Sequence, residues 1–130
     1  MKFQKILILL IISFSLNAYS SYSGVYYCSD EKATGFSPKD SFETGLFKQE
    51  KFKVKIDYEN QRVSSSEVYL GTGMKECKVN QYSSILCISK FGPSFSFNPV
   101  SRYFVMSKHF SNDKKPEDSI SVSYGTCEKF

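Results

Sequence analysis

One seven-residue stretch constrains the fold more than any other part of the sequence. Residues 52–58 read FKVKIDY, in which apolar and charged side chains alternate without a break. A β-strand directs successive side chains to opposite faces, so the apolar residues share one face and the charged residues share the other. A helix would spread the same residues around its surface. The stretch therefore predicts a strand in a sheet with one apolar and one charged face.

The rest of the chain repeats this pattern in shorter pieces. Candidate strands separated by turns cover residues 24–28, 45–47, 62–70, 76–79, 82–89, 91–97, 102–108 and 119–127. Strands at such regular spacing, with no amphipathic helix between them, are typical of antiparallel β-barrels and sandwiches. We therefore predict an all-β fold, a small antiparallel β-barrel or sandwich of about seven or eight strands.

The connections follow from turn-forming residues. Polar residues 29–36 predict a turn, residues 71–73 (GTG) predict another, and residues 111–118 predict an exposed loop. Pro93 and Pro99 bracket the candidate strand 91–97, which favours an edge strand or a strand start because proline cannot donate to a ladder.

The first twenty residues predict a secretory signal peptide. Lys2 and Lys5 precede an apolar run over residues 6–16, and Ala18-Tyr19-Ser20 is a small-x-small cleavage site. The run is shorter than the roughly 20 residues that a spanning helix needs, so we expect no transmembrane span after cleavage. Residues 21–130 then form a single β domain. Removing two lysines lowers the formal net charge from +4 to +2, which gives no general case for nucleic acid binding.

Four cysteines behind a signal peptide predict an oxidising compartment, periplasmic or extracellular, and two disulfides. The sequence alone allows three pairings of Cys28, Cys77, Cys87 and Cys127. We favour Cys28–Cys127, which would join the first strand to the last, and Cys77–Cys87, which would close a hairpin.

Motifs for catalysis or metal binding are weak. The single histidine, His109, is more simply read as a residue at a strand end than as a general base. The four cysteines show no C-x-x-C spacing that would predict a zinc site, and no G-x-S-x-G elbow is present. We predict no catalytic residue, no metal and no cofactor.

The clearest candidate surface is basic. Lys51, Lys53 and Lys55 share the charged face of the long alternating strand, from about Lys51 to Tyr58, and could bind an anionic protein, lipid headgroup or glycan. The alternative is that they are the solvent side of a half-buried strand, where lysine opposes aggregation. Tyr26 and Tyr27 are adjacent, so one of them must leave the core, and we take Tyr26 as a further candidate surface residue.

Three motifs carry a resemblance. Tyr27-Cys28 with Ala33-Thr34-Gly35-Phe36, the Phe52-Lys53-Val54 strand and Tyr124-Gly125-Thr126-Cys127 resemble a group of small exported bacterial proteins of unassigned function. The resemblance implies a bacterial exported domain and brings no catalytic residues.

A second, weaker likeness is to periplasmic inhibitors of C-type lysozyme. The start Tyr26-Tyr27-Cys28 is similar to their Tyr-x-Cys element, whereas Ser23-Gly24-Val25-Tyr26 lies before the cysteine and not where their inhibitory loop stands. We therefore expect an exported, non-enzymatic binding or envelope-associated module with a protein or envelope partner. The alternative is an inhibitor of a secreted hydrolase such as lysozyme.

Overall fold

The structure, a computed structural model, describes residues 21–37, 43–65, 74, 76–89, 92–112 and 115–130. Nine strands lie within this part of the chain. They are β1 (Gly24–Phe36), β2 (Thr44–Leu46), β3 (Lys51–Asp57), β4 (Arg62–Ser65), β5 (Glu76–Val79), β6 (Ile85–Ile88), β7 (Ser94–Phe97), β8 (Tyr103–Asn112) and β9 (Lys115–Lys129).

The strands form one antiparallel sheet that curls into a nearly closed barrel. Eight of them follow the order β4-β3-β1-β9-β8-β7-β6-β5, and β2 pairs with β1 beside this path. The two end strands approach each other where Val63 and Met74 exchange backbone hydrogen bonds of 2.8 and 3.3 Å. The all-β prediction is confirmed, and the barrel is selected over the sandwich.

The long alternating strand predicted from the sequence is β3, and its apolar side chains form part of the barrel core. Its apolar side chains are buried and its lysines are exposed. Phe52 packs edge-on against Phe95 and Phe104, with ring centroids 6.4 and 5.2 Å apart, and Tyr26 packs edge-on against Phe97 at 4.9 Å. Such aromatic contacts supply much of the apolar burial that a domain of this size needs.

Both favoured disulfides are confirmed. Cys28–Cys127 joins β1 to β9, and Cys77–Cys87 joins β5 to β6. In each pair the two residues face each other directly across their ladder. All four side chains point into the barrel and are buried.

One predicted turn is wrong. Residues 29–36 continue β1 as a strand, with a bulge where the β9 register shifts between Asp30 and Lys32. The segment is polar, but it lies between β9 on one side and β3 and β2 on the other, so its backbone groups are paired in ladders. Tertiary pairing thus overrides a turn-like composition.

Two further expectations change. β7 lies between β6 and β8, so the edge-strand alternative is wrong, whereas the strand-start alternative is confirmed because Pro93 directly precedes the first residue of β7, Ser94. β8 ends at Asn112 and β9 begins at Lys115, and these two residues pair with each other. The two strands therefore include most of the predicted loop 111–118. The predicted signal peptide, the second half of the predicted strand 62–70 and the turn 71–73 lie outside the described residues.

Candidate functional site

The predicted lysine row lies on the outside of the barrel. Lys51, Lys53 and Lys55 are all exposed, at alternate positions of β3. Alternate residues on one strand are about 6.8 Å apart, so their ammonium groups form a row along β3. Their neighbour β1 places Val25 opposite Lys55 and Tyr27 opposite Lys53. We call this surface the lysine face: Lys51, Lys53, Lys55, Val25 and Tyr27.

Tyr26 does not belong to this surface, which corrects the sequence prediction. Its side chain is only 4% exposed, and its hydroxyl donates a 2.6 Å hydrogen bond to the Tyr22 carbonyl. Tyr27 is the exposed member of the pair, at 47%. The physical reason is the two-residue period: Cys28 points into the core, and Tyr26 shares its face.

The lysine face contains a shallow depression. Val25, Lys53, Lys55, Ser64 and Ser65 line a volume of about 230 Å³ that is open to solvent. The Ser65 hydroxyl donates to the Lys53 carbonyl at 2.6 Å, which holds β4 against β3 at this point. The depression therefore combines two ammonium groups, a hydroxyl and a small apolar surface.

The aromatic rings beside the lysines are partly covered. The Lys53 Nζ atom lies 5.0 Å from the centroid of the Tyr27 ring, within the range of a cation–π contact. The ring of the C-terminal Phe130 lies 5.6 Å from Tyr27 at an interplanar angle of 56°. Tyr27 therefore fixes the position of Lys53 and does not offer two open faces for stacking.

Of the acids near this face, Glu50 pairs with a lysine inside the barrel, whereas Asp57 stays ionised and reduces the positive charge of the face. The Glu50 carboxylate forms an ion pair with Lys108, whose side chain points into the barrel. Asp57 accepts hydrogen bonds from the side-chain amide of Asn60 at 2.8 Å and from the Asn60 backbone at 3.0 Å. These bonds, the side-chain one foremost, lower the pKa of the Asp57 carboxyl. Asp57 lies two residues beyond Lys55 on the same face of β3, and Glu128 lies opposite Tyr27 on β9.

A second surface was missed by the sequence analysis. Eight large apolar side chains, each 40–53% exposed, lie on the outer face of the barrel from β6 across β7, β8 and β9 to β1. We call them the apolar band: Leu86, Ile88, Tyr103, Val105, Ile120, Val122, Tyr124 and Phe36.

The sequence feature that could have revealed this band is the alternation of inward and outward side chains along β9. Because Cys127 points inward, Ser121 and Ser123 also point inward, and both are buried. Ile120, Val122 and Tyr124 must then point outward, although they are the apolar members of the alternation. Cys127 thus indicates which face of β9 points inward, whereas hydrophobicity alone would place the opposite face in the core.

One end of the barrel interior is polar. Asp30 is 6% exposed, and its Oδ2 accepts the Glu50 backbone N–H at 3.0 Å, so it is linked through Glu50 to Lys108. Among the described residues, Asp30 Oδ1 and Ser123 Oγ are buried and have no hydrogen-bond partner. This end of the barrel contains polar groups that the sequence analysis did not predict.

The candidate base and possible metal ligands were located in the described part of the chain. His109 lies on β8, with its backbone opposite Ile120. The side chains that the structure describes include no group of three or more His, Cys, Asp and Glu that could hold a metal ion. The same residues contain no helix of the length and hydropathy required to cross a membrane.

Comparison of the chain with protein-family models, with curated proteins and with solved structures finds no match.

Proposed function

We propose that this chain is an exported, non-enzymatic binding module of the periplasm or extracellular space, and that its lysine face binds an anionic glycan. The two buried disulfides support an oxidising environment. The observation that carries the proposal is the row of Lys51, Lys53 and Lys55 beside an open depression. A row of fixed cations suits a ligand with repeated negative charges better than a single small anion.

The chemistry of the depression favours a sugar acid as the repeating unit. Lys53 and Lys55 can pair with a carboxylate, the exposed Ser64 can exchange hydrogen bonds with ring hydroxyls, and Val25 offers a surface to the apolar side of the ring. A bare phosphate group would pair with the ammonium groups and would leave Ser64 and Val25 without a contact. The combination of charge, hydroxyl and apolar contact therefore points to a carbohydrate.

A nucleic acid fits this face less well. Single-stranded nucleic acids bind through aromatic rings on which bases stack, alongside basic residues. Tyr27 is exposed among the lysines, but Lys53 lies over its ring and Phe130 lies beside it. The ring would have to lose the Lys53 contact before a base could stack there.

The test is a titration of a fluorescently labelled polygalacturonate with the mature, oxidised protein, with neutral dextran as the polymer control. We expect binding to polygalacturonate alone, weakened by added salt because exposed charges are screened. The double variant Lys53→Gln/Lys55→Gln should weaken binding by about tenfold or more. The matched control, Lys32→Gln/Lys78→Gln, removes the same charge from exposed positions outside the lysine face and should bind nearly normally.

Two results would overturn the proposal. One is no binding of the wild-type protein at low salt. The other is an equal loss in both double variants, which would mean that net charge alone attracts the polymer. The same preparation tests the alternative function, because an inhibitor of lysozyme would slow that enzyme at a near-equimolar dose.

A further inference from the structure

Five members of the apolar band lie, together with three serines, in two rows that cross four strands. Leu86, Ser96, Val105 and Tyr124 are successive partners from β6 to β9. Ile88, Ser94, Ser107 and Val122 form the next row in the same way. All eight side chains of the two rows point away from the buried core, so the rows form one continuous outer surface.

This surface is uneven, with a line of small serine side chains between larger apolar ones. The three serines are half-buried, and the Ser94 and Ser107 hydroxyls are hydrogen-bonded to each other at 2.7 Å. They form a low furrow between two ridges, Leu86 with Ile88 on one side and Val105, Val122 with Tyr124 on the other. Because the hydroxyls of Ser94 and Ser107 satisfy each other, the floor of the furrow can lose water at small cost.

The band is neutral. None of the eight residues in the two rows carries a charge. The charges closest in register lie at the ends of the rows: Lys32 opposite Tyr124 on β1, and Lys78 opposite Leu86 and Glu76 opposite Ile88 on β5. In a twofold-symmetric dimer the same surface patch meets its own copy, so a charge at the centre would oppose a like charge. A neutral centre with a furrow and ridges avoids this repulsion and can fit against itself.

The area is that of a dimer interface. A large apolar side chain that is half exposed presents on the order of 100 Å², so the apolar band presents roughly 700–800 Å². A standard stable interface buries about 800 Å² on each partner. Monomeric soluble proteins rarely expose continuous apolar patches of more than a few hundred Å².

From these observations we infer that the occupant of the apolar band is a second copy of this chain, held face to face as a twofold-symmetric homodimer. The lysine face lies on β3 and the adjoining start of β1, outside the two rows, so dimerisation leaves it open. Two lysine faces on one dimer would hold a long anionic polymer at two points, and such bivalent binding is tighter than either contact alone.

Sedimentation velocity of the mature, oxidised protein tests the inference without any polymer. We expect a concentration-dependent monomer–dimer equilibrium between micromolar and millimolar protein. Val122→Lys and Val105→Lys each place a charge within the rows and should raise the dimer dissociation constant by about tenfold or more. Val100→Lys is the matched control, since Val100 is 71% exposed in the β7–β8 turn and outside the band. It should dimerise as the wild type does.

Thermal melts of the three variants establish that each is folded, which is expected because all three positions are exposed. A wild-type protein that stays monomeric over the whole range would overturn the inference. So would a dimer that persists in Val122→Lys and Val105→Lys, because it would have to form through another face. Neither result affects the polymer titration of Lys53→Gln/Lys55→Gln, so failure of the dimer and failure of the glycan site are distinguishable.

Discussion

Cys28 and Cys127 face each other across the β1–β9 ladder, with their Cα atoms 4.0 Å apart and a sequence separation of 99 positions. Their bond joins the first long strand of the barrel to the last. Cys77 and Cys87 have the same cross-strand arrangement and the same Cα separation, but a sequence separation of only 10 positions. The two disulfides therefore differ mainly in the length of chain that each closes.

This difference predicts unequal contributions to stability. In the chain-entropy account, closing a loop of about 100 residues contributes about 4–5 kcal/mol, and closing one of about 10 residues contributes somewhat under 3 kcal/mol. Cys28→Ala/Cys127→Ala should therefore lower the free energy of unfolding more than Cys77→Ala/Cys87→Ala does. Urea unfolding of the two double variants measures both losses. Equal losses, or a larger loss for the hairpin pair, would contradict the prediction.

A second prediction concerns Gly125, which pairs with Asp30 at the bulge of β1. A Cβ atom at this position would lie 1.9 Å from the Ser29 carbonyl oxygen, so any side chain must push β1 away from β9. We expect Gly125→Ala to cost about 3 kcal/mol or more in free energy of unfolding. Gly45→Ala is the matched control, because a Cβ there has nothing within 4 Å, and it should change stability by less than about 0.5 kcal/mol. Thermal unfolding that finds the two variants alike would refute this account.

A third prediction follows from the turn between β3 and β4. The hydrogen bonds from Asn60 lower the pKa of the Asp57 carboxyl, so the folded state holds the carboxyl proton less tightly than the unfolded chain does. The turn thus contributes stability above about pH 4, and that contribution is lost as the pH falls through the folded-state pKa. Asn60→Ala should raise the pKa of Asp57 toward its ordinary value, as followed by NMR titration of the carboxyl carbon. Glu59→Gln, next to it, should leave this pKa low, and an unchanged value in Asn60→Ala would disprove the assignment.

The sequence predicts the all-β fold because the fold depends on local alternation, but it does not choose the barrel over the sandwich. It allows three disulfide pairings, of which the favoured one is confirmed. The β3 pattern reappears residue by residue, and the cysteines of each pair occupy facing positions on the strands that the pattern predicts. The same alternation indicates that Lys51, Lys53 and Lys55 are exposed. The choice between Tyr26 and Tyr27 was also decidable, since Cys28 fixes which tyrosine points inward.

What the sequence could not predict depends on contacts between distant segments. Lys108 points into the barrel and pairs with Glu50, 58 residues earlier, and no pattern near either residue indicates this ion pair. Residues 29–36 form a strand only because two neighbouring strands pair with them. The apolar band extends over five neighbouring strands, from β6 to β1, and becomes visible only once their order is known.

The last prediction compares two buried tyrosines. The Tyr26 hydroxyl donates to the Tyr22 carbonyl, whereas the Tyr58 hydroxyl is buried without a partner among the described residues. Tyr58→Phe removes an unsatisfied polar group and should stabilise the protein by about 1 kcal/mol, which would raise Tm by about 4 °C. Tyr26→Phe removes the hydrogen bond to the Tyr22 carbonyl and should destabilise the protein by about 1 kcal/mol. Thermal melts at neutral pH measure both shifts.

The same pair predicts the response to alkali. Burial raises the pKa of both phenols, most of all that of Tyr58, so the folded state holds these protons more tightly than the unfolded chain does. Their contribution to stability is therefore complete below about pH 10 and is lost as the pH rises beyond it. Tyr58→Phe removes the larger part of this loss, so its Tm should fall less steeply than that of the wild type between about pH 9 and 11. Parallel curves for the two proteins would show that the Tyr58 hydroxyl is not desolvated in solution.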